Sequence, residues 1–301
     1  MRLTLKATAL LITITAVTAA LAGCTPTASA PHDGKISVVA STNVWGDIAH
    51  QIGGSSVHVT SIISDPSQDP HSYEANAQVQ LALSKADIVI ENGGGYDDFV
   101  GTLLKGANNS GAKILNAVDI SGFMKGAGLN EHVWYDFPTV KKVAASITKA
   151  LSARDSSQSA TFEANEAKFD AALKVLMADE AAIKASPAAG SEIAITEPVP
   201  LYLLTASGLV NKTPKGFSEA IEEGTDVAPN ALEQTLALFR DHKVVLLAYN
   251  EQTGGPETEQ VLAAAKSAGI PAVPVRETLP EGKDYLSWMT DNLNAVKAAL
   301  R

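Results

Sequence analysis

Residues 156–186 limit the fold more than any other stretch, because these 31 positions contain neither glycine nor proline. Within "SATFEANEAKFDAALKVLMADEAAIKAS", strong helix formers dominate, and Phe162, Phe169, Leu173, Leu176, Met177 and Ile183 recur at spacings of three and four. That pattern predicts one long helix of about 40 Å, at 1.5 Å per residue. It ends before Pro187 and Gly190. A helix of that length in mid-chain separates whatever folds before it from whatever folds after it.

Both flanks alternate strand and helix. Upstream, "KISVVAST" (35–42), "VHVTSIIS" (57–64), "DIVIEN" (87–92) and "AKILNAV" (112–118) read as strands. The segments 44–54, 76–86 and "DFVGTLLKGA" (98–107) carry helical spacing, with Asn76 opening the second. Downstream, "EIAITE" (192–197), "KVVLLAYN" (243–250) and "IPAVPVRE" (270–277) are strands, and "VPLYLLTASG", 231–242, 257–269 and the segment from Asp284 are helices. This rhythm predicts an α/β protein of two lobes, each a parallel sheet with helices on both faces, joined by the long helix. The expected boundaries are an N-terminal lobe over 36–155, the connecting helix over 156–186 and a C-terminal lobe over 187–301.

The N-terminus reads differently. Arg2 and Lys6 precede the apolar run "ALLITITAVTAALA", and no acid occurs before Asp33. That is the pattern of a secretory signal over residues 1–23. It ends in "LAGC", which resembles a bacterial lipobox and predicts lipidation of Cys24, the only cysteine. An intrachain disulfide is excluded. Residues 24–35, with "TPTASAPHDGK", read as a flexible tether. Removing residues 1–23 takes away Arg2 and Lys6 and no acid, so 23 basic residues become 21 against 33 acidic ones, a charge of −12. That balance argues against nucleic acid as a partner and fits a cationic ligand.

In open parallel sheets, ligands bind outside the carboxyl ends of the strands. His71 follows the second strand within "DPHSYEAN", and His132 follows the fourth within "NEHVWYDF". Glu197 follows the first strand of the second half, and Glu277 follows the last. Each alone is ordinary: a loop histidine is usually solvated, and Glu197 could serve the helix after Pro198. Together they bring two imidazoles and two carboxylates to one edge of both sheets. Such a set suits Zn²⁺ in a tetrahedron, or Mn²⁺ at higher coordination with bidentate carboxylates.

With these residues in hand, the chain resembles the metal-binding solute-binding proteins of bacterial ABC transporters for zinc and manganese, the cluster A-I family. The resemblance runs from about Ile36 to the C-terminus. "STNVWGDIAHQIGG" is similar to the family's opening strand and helix, and "DPHSYE" to its first-ligand motif. "ADIVIENGGGYDDFV" is similar to the strand and loop that follow, "EHVWYDFP" to the second-ligand motif, and "YLSWMTDNLNAV" to the closing helix.

The resemblance implies His71, His132, Glu197 and Glu277 as metal ligands. Glu197 stands where zinc-type members carry a third histidine and manganese-type members carry glutamate, and Glu277 stands where aspartate is usual. The loop "RETLPEG" is shorter than the family pattern, which leaves Glu251 and Asp284 as alternatives for the fourth ligand. "NEH" replaces the usual Asp-Pro-His, so the support given to His132 by that aspartate is absent or altered. "AVDISGFMKGAGLNE" lacks the histidines of many zinc members. That absence and Glu197 lean toward manganese or iron(II), although first-row affinity favours zinc over manganese.

The function implied is capture of Zn²⁺ or Mn²⁺, with Fe²⁺ also fitting, and delivery to an ABC transporter membrane permease. The protein would be a monomer, held at the outer face of the cytoplasmic membrane by lipid on Cys24, with no catalysis of its own. The competing class is a zinc hydrolase with an open metal position. It lacks an HExxH motif, and "LTASG" is not a nucleophile elbow. An adhesin role, sometimes attached to this family, has no specific support in the residues.

Overall fold

The computed structural model describes residues 34–65, 73, 76–126 and 128–301. Among them, strand β1 (Ile36–Thr42) leads into α1 (Asn43–Gly53), and β2 (Val57–Ile63) is followed by α2 (Ala77–Lys85). Next come β3 (Ile88–Glu91), α3 (Asp98–Ala107), β4 (Lys113–Asn116) and the short α4 (Ala117–Ser121). All pairings in this sheet are parallel, in the order β2-β1-β3-β4. Helices cover both faces, so six of the seven residues of β1 are buried, the near-continuous apolar run that a doubly covered parallel strand needs. Asn76 caps α2 through its side chain, as the sequence indicated.

Helix α5 (Phe137–Arg154) follows, capped by Asp136, whose Oδ2 accepts from Thr139 N at 2.9 Å. The long helix α6 (Ser159–Lys184) is preceded by a 3₁₀ turn at Ser156–Gln158. It buries Phe162, Phe169, Leu173, Leu176 and Ile183 on one face, as the spacing predicts. Met177 is only partly buried, and Glu180 shares the buried face.

The second half repeats the topology of the first. β5 (Glu192–Ile195), α7 (Leu201–Ala206), β6 (Val210–Asn211), α8 (Lys215–Glu222), α9 (Pro229–Arg240), β7 (Leu247–Asn250), α10 (Pro256–Ser267), β8 (Ala272–Val275) and α11 (Tyr285–Ala299) complete the chain. The sheet order is β6-β5-β7-β8, again parallel. In both sheets the order reverses between the first strand and the third. That reversal opens a crevice beyond their carboxyl ends, the usual ligand position of such folds.

One apolar cluster joins the halves, with Ile88 of the first sheet, Ile195 of the second, Phe162 and Leu173 of α6, and Trp288 and Leu293 of α11. Polar bonds cross as well. Asn43 and Leu279 exchange two bonds of 3.0 and 2.9 Å, and Tyr285 N donates to Asp47 Oδ2 at 2.8 Å. No helix among the described residues is long and apolar enough to cross a membrane.

Candidate metal centre

The strand ends place the candidate ligands. β5 stops at Ile195, and Pro198 and Pro200 prevent the ladder from continuing, so Glu197 is held at the sheet edge. Asn250 ends β7 beside it and is anchored by its N–H on Thr196 Oγ1 at 3.0 Å. The Asn250 amide donates to Glu197 Oε2 at 2.6 Å and to Glu277 Oε1 at 2.7 Å. Sharing one nitrogen, the two oxygens are separated by roughly 5 Å at most. Gln252 fixes the segment carrying Glu277, its Oε1 accepting from Glu277 N at 2.7 Å and Thr278 N at 3.1 Å. Tyr96, from the glycine loop after β3, donates to Glu277 Oε2 at 3.2 Å. That loop needs Gly93 at φ +77, where an added Cβ would strike Asn116.

His132 precedes a 3₁₀ turn at Val133–Tyr135 and is fully buried, edge-on to Trp134 and Tyr96 at 5.0 and 5.9 Å. Its Nδ1 lies 2.7 Å from Asn130 Oδ1, which also accepts from His132 N at 3.1 Å. An amide oxygen can only accept, so Nδ1 carries the hydrogen and Nε2 faces the site. The support expected from an aspartate is therefore supplied by Asn130. It is tied to the other half through Nδ2 to Pro198 O at 2.9 Å and its carbonyl to Tyr202 Oη at 2.7 Å. Nε2 points at Glu222 Oε1, 3.1 Å away.

Glu197 and Glu277 thus meet at one amide nitrogen, and Glu277 acts on His132 by charge, with Glu197 2 % and Glu277 4 % exposed. His71 and Cys24 lie outside the described residues. The two alternatives for the fourth ligand are used elsewhere: Glu251 pairs with Arg276, and Asp284 caps α11 in a capping box with Ser287. Of the other histidines, His50, His58 and His242 are exposed, as surface residues should be, and His32 lies outside the described residues. Among the described residues, no three His, Cys, Asp or Glu side chains close into a metal-ligand set, and the Asn250 amide bonds to two of the carboxylates.

Glu222, Asn250, Tyr96 and Asn130 were not identified as site residues from sequence. Asn250 ends a strand and could have been found by position. Glu222 closes a helix, where a rule built on strand ends does not look.

The electrostatics call for a cation. Burial alone would lower the His132 pKa, but the Glu222 carboxylate, by charge and hydrogen bond, and Glu277 and Glu131 by charge, raise it to about 9. Burial raises Glu197 to about 8 against the Asn250 bond, with the charges of Glu222 and Glu277 adding to the rise. Burial and the charge of Glu277 push the Tyr96 hydroxyl well above its ordinary value, so it donates rather than ionises. Deprotonating this cluster therefore needs compensating positive charge, which a divalent cation supplies. The broad groove of about 810 Å³ beside β4 and α5, lined by Glu91, Lys113 and Arg154 among others, shares none of these residues.

The chain is 31% identical over 146 residues to the manganese-binding lipoprotein MntA of Bacillus subtilis, covering 44% of this chain and 47% of that protein. It is 24% identical to the manganese ABC transporter substrate-binding lipoprotein PsaA of Streptococcus pneumoniae, over 91% of this chain and 92% of that one. Its fold is similar to that of the periplasmic zinc-binding protein TroA of Treponema pallidum, with a TM-score of 0.74, 19% identity and coverage of 89% and 99%. Residues 38–299 match the family described as zinc-uptake complex component A, periplasmic, and the chain belongs to that family.

Proposed function

We propose that the protein binds a divalent transition metal outside the cytoplasm and delivers it to the membrane permease of an ABC transporter. The observation that carries this reading is the orientation of His132. Asn130 fixes its Nε2 toward buried carboxylates that come from the opposite half of the chain. A metal held there joins both halves. His132, Glu197 and Glu277 are three of the ligands in this reading, and His71, from the loop after β2, is the fourth. Its place rests on the motif "DPHSYE". Residues 1–23 act as the signal peptide and Cys24 carries the lipid that anchors residues 24–35 as a tether to the outer face of the cytoplasmic membrane. The lobes span 36–155 and 187–301 around the connecting segment 156–186, and the protein works as a monomer. The cargo is Zn²⁺ or Mn²⁺, with Fe²⁺ chemically admissible. The zinc-hydrolase alternative gains no support from the relatives, whose names describe transport components.

A thermal melt of chelator-stripped protein, with and without each ion, tests the reading. An ion present at 1,000 times its dissociation constant should add about 4 kcal/mol of stability. Glu277→Ala should remove most of that gain, and a gain that survives would take Glu277 out of the ligand set.

The support given by Asn130 has its own test. Asn130→Ala is expected to weaken metal binding roughly 10- to 100-fold, because the ring loses the bond that sets its tautomer and orientation. Asn130→Asp restores an acceptor and should recover or exceed wild-type affinity. Equal affinity in wild type and Asn130→Ala, measured by chelator competition, would show that packing on Trp134 and Tyr96 alone orients the ring.

A further inference from the structure

We infer that Phe123 and Tyr202 form a latch across the mouth of the crevice, with residues 122–126 as the strap that must swing aside for metal to enter or leave. The role in metal exchange rests on the metal-binding reading above, whereas the latch is a contact between the halves that stands without it.

Three observations carry it. Phe123, just after α4 in the first half, stacks on Tyr202 of α7 in the second, with ring centroids 5.1 Å apart and planes 3° from parallel. Both rings are half-buried, so they can part and rehydrate without opening the core. Next, Tyr202 stands where the halves meet beside the candidate ligands. Its Oη donates to Asn130 O at 2.7 Å, and Asn130 Nδ2 donates to Pro198 O at 2.9 Å, next to Glu197. Asn130 is also the residue whose Oδ1 lies 2.7 Å from His132 Nδ1. Finally, the strap has hinges. Gly122 and Gly126 adopt φ +81 and +116, and an added Cβ would meet nothing within 4 Å at either. Glycine serves there for backbone freedom rather than for room. The base of the strap is fixed, because Lys142 Nζ donates to Ser121 O at 2.6 Å and Phe123 N donates to Ser121 Oγ at 2.9 Å. Beyond it Met124 is 91% exposed, and Lys125 pairs with Asp119 of α4. These polar contacts stay in the first half, and the ring stack reaches across.

The consequence is kinetic. An aromatic pair shifts an equilibrium by roughly 2- to 12-fold beyond the area it buries. That holds a strap mostly closed without locking it. The other links between the halves differ in kind: Asn43 and Leu279 bond to each other, and one apolar cluster runs through α6 and α11. They keep the halves together whether the strap is open or closed, so exchange of metal needs local movement of the strap rather than separation of the halves. A strap that must open in both directions sets the rates of entry and release together and leaves the dissociation constant nearly unchanged.

The test uses whole protein: wild type, Y202A, Y202F, F123A, F123Y and the double variant F123A/Y202A. Hydrogen exchange at the residue 123 amide, read by NMR on chelator-stripped protein, reports the strap from across the gap. Y202A should lower its protection roughly 5- to 10-fold, and Y202F, which keeps the ring and loses the bond to Asn130, should stay within about twofold. In stopped flow with a chromogenic chelator, F123A should speed both uptake and release of Zn²⁺ roughly 5- to 10-fold, with the dissociation constant within about threefold of wild type. F123Y, which keeps the ring, should match wild type. The double variant should go no further than the stronger single one, because the rings act as a pair. Unchanged protection in Y202A, or single effects that multiply in the double variant, would overturn the latch. Lowered protection with unchanged release, or faster release with a matching loss of affinity, would overturn its role in metal exchange. Wild type that binds no Zn²⁺ would overturn the metal-binding reading and that role with it, while the exchange data still decide the latch.

Discussion

Replacing His132 by alanine is expected to raise the dissociation constant for Zn²⁺ and Mn²⁺ by at least about 100-fold, the loss of one ligand's share of a binding free energy of order 10 kcal/mol or more. No other side chain can substitute for it, because the ring is fully buried and its Nε2 is fixed by Asn130 on the far nitrogen. The substitution should also change the proton balance. Burial lowers the His132 pKa, but Glu222, Glu277 and Glu131 together raise it to about 9, so at pH 7 a metal bound there would displace a proton from it. Glu197, titrating near 8, gives up a second. Metal binds the deprotonated forms, so affinity rises with pH and flattens once pH passes these values. Calorimetry in two buffers of different ionisation enthalpy counts the protons released. The alanine variant should release about one fewer than wild type near pH 7. An unchanged proton count with unchanged affinity would remove His132 from the ligand set. A collapse of metal-free stability, with Glu222 left buried beside a void, would be separated from ligand loss by melting the two metal-free proteins side by side.

Much of this site was legible before any coordinates, for a physical reason. Parallel strands open their carboxyl ends toward one edge, so His132, Glu197 and Glu277 could be grouped by position alone; Glu197 and Glu277 do share the Asn250 amide. The long helix was legible because glycine and proline, the strongest breakers, are absent from 156–186. Other features carried no such signal. Helix α5 was left unassigned although Asp136 caps it and Pro138 sits in its first turn. The strand expected over 243–250 is assigned only from Leu247, since Val245 N and Leu246 O bond β5 across a bend. Asn250, an amide, did not enter a search for metal donors, yet its two N–H groups hold Glu197 and Glu277 together. Glu222 was passed over because no element was assigned over 209–230, where β6 and α8 lie, and Glu180 because a glutamate in a helix of good formers ordinarily faces water. Only the tertiary arrangement reveals that both are inside.

Glu180→Gln is expected to stabilise the metal-free protein by about 2–4 kcal/mol at pH 8.5 and by little at pH 5. Glu180 occupies the inner face of α6 between Leu176 and Ile183, 6% exposed, with Oε1 lacking a hydrogen-bond partner among the described residues. Burial raises its pKa to about 8, and the charge of Asp136, committed to capping α5, adds to the rise. The sign follows from the proton balance. Below the ordinary carboxyl value, near 4.5, both folded and unfolded chains hold the proton and the residue contributes no pH dependence. As pH rises beyond that, the unfolded chain releases its proton while the folded one keeps it until about 8, so stability falls across this window and levels off above it. Glutamine cannot ionise, so urea unfolding of wild type and variant, with chelator present, should diverge from pH 5 to pH 8.5. Parallel curves would place the pH dependence elsewhere. The variant also isolates two opposed slopes, because metal affinity is expected to rise with pH while the buried carboxyl on α6 lowers stability. With Glu180 neutral, the second slope flattens and the first remains, which shows whether metal affinity depends on the ligands alone or also on how firmly α6 holds the two halves.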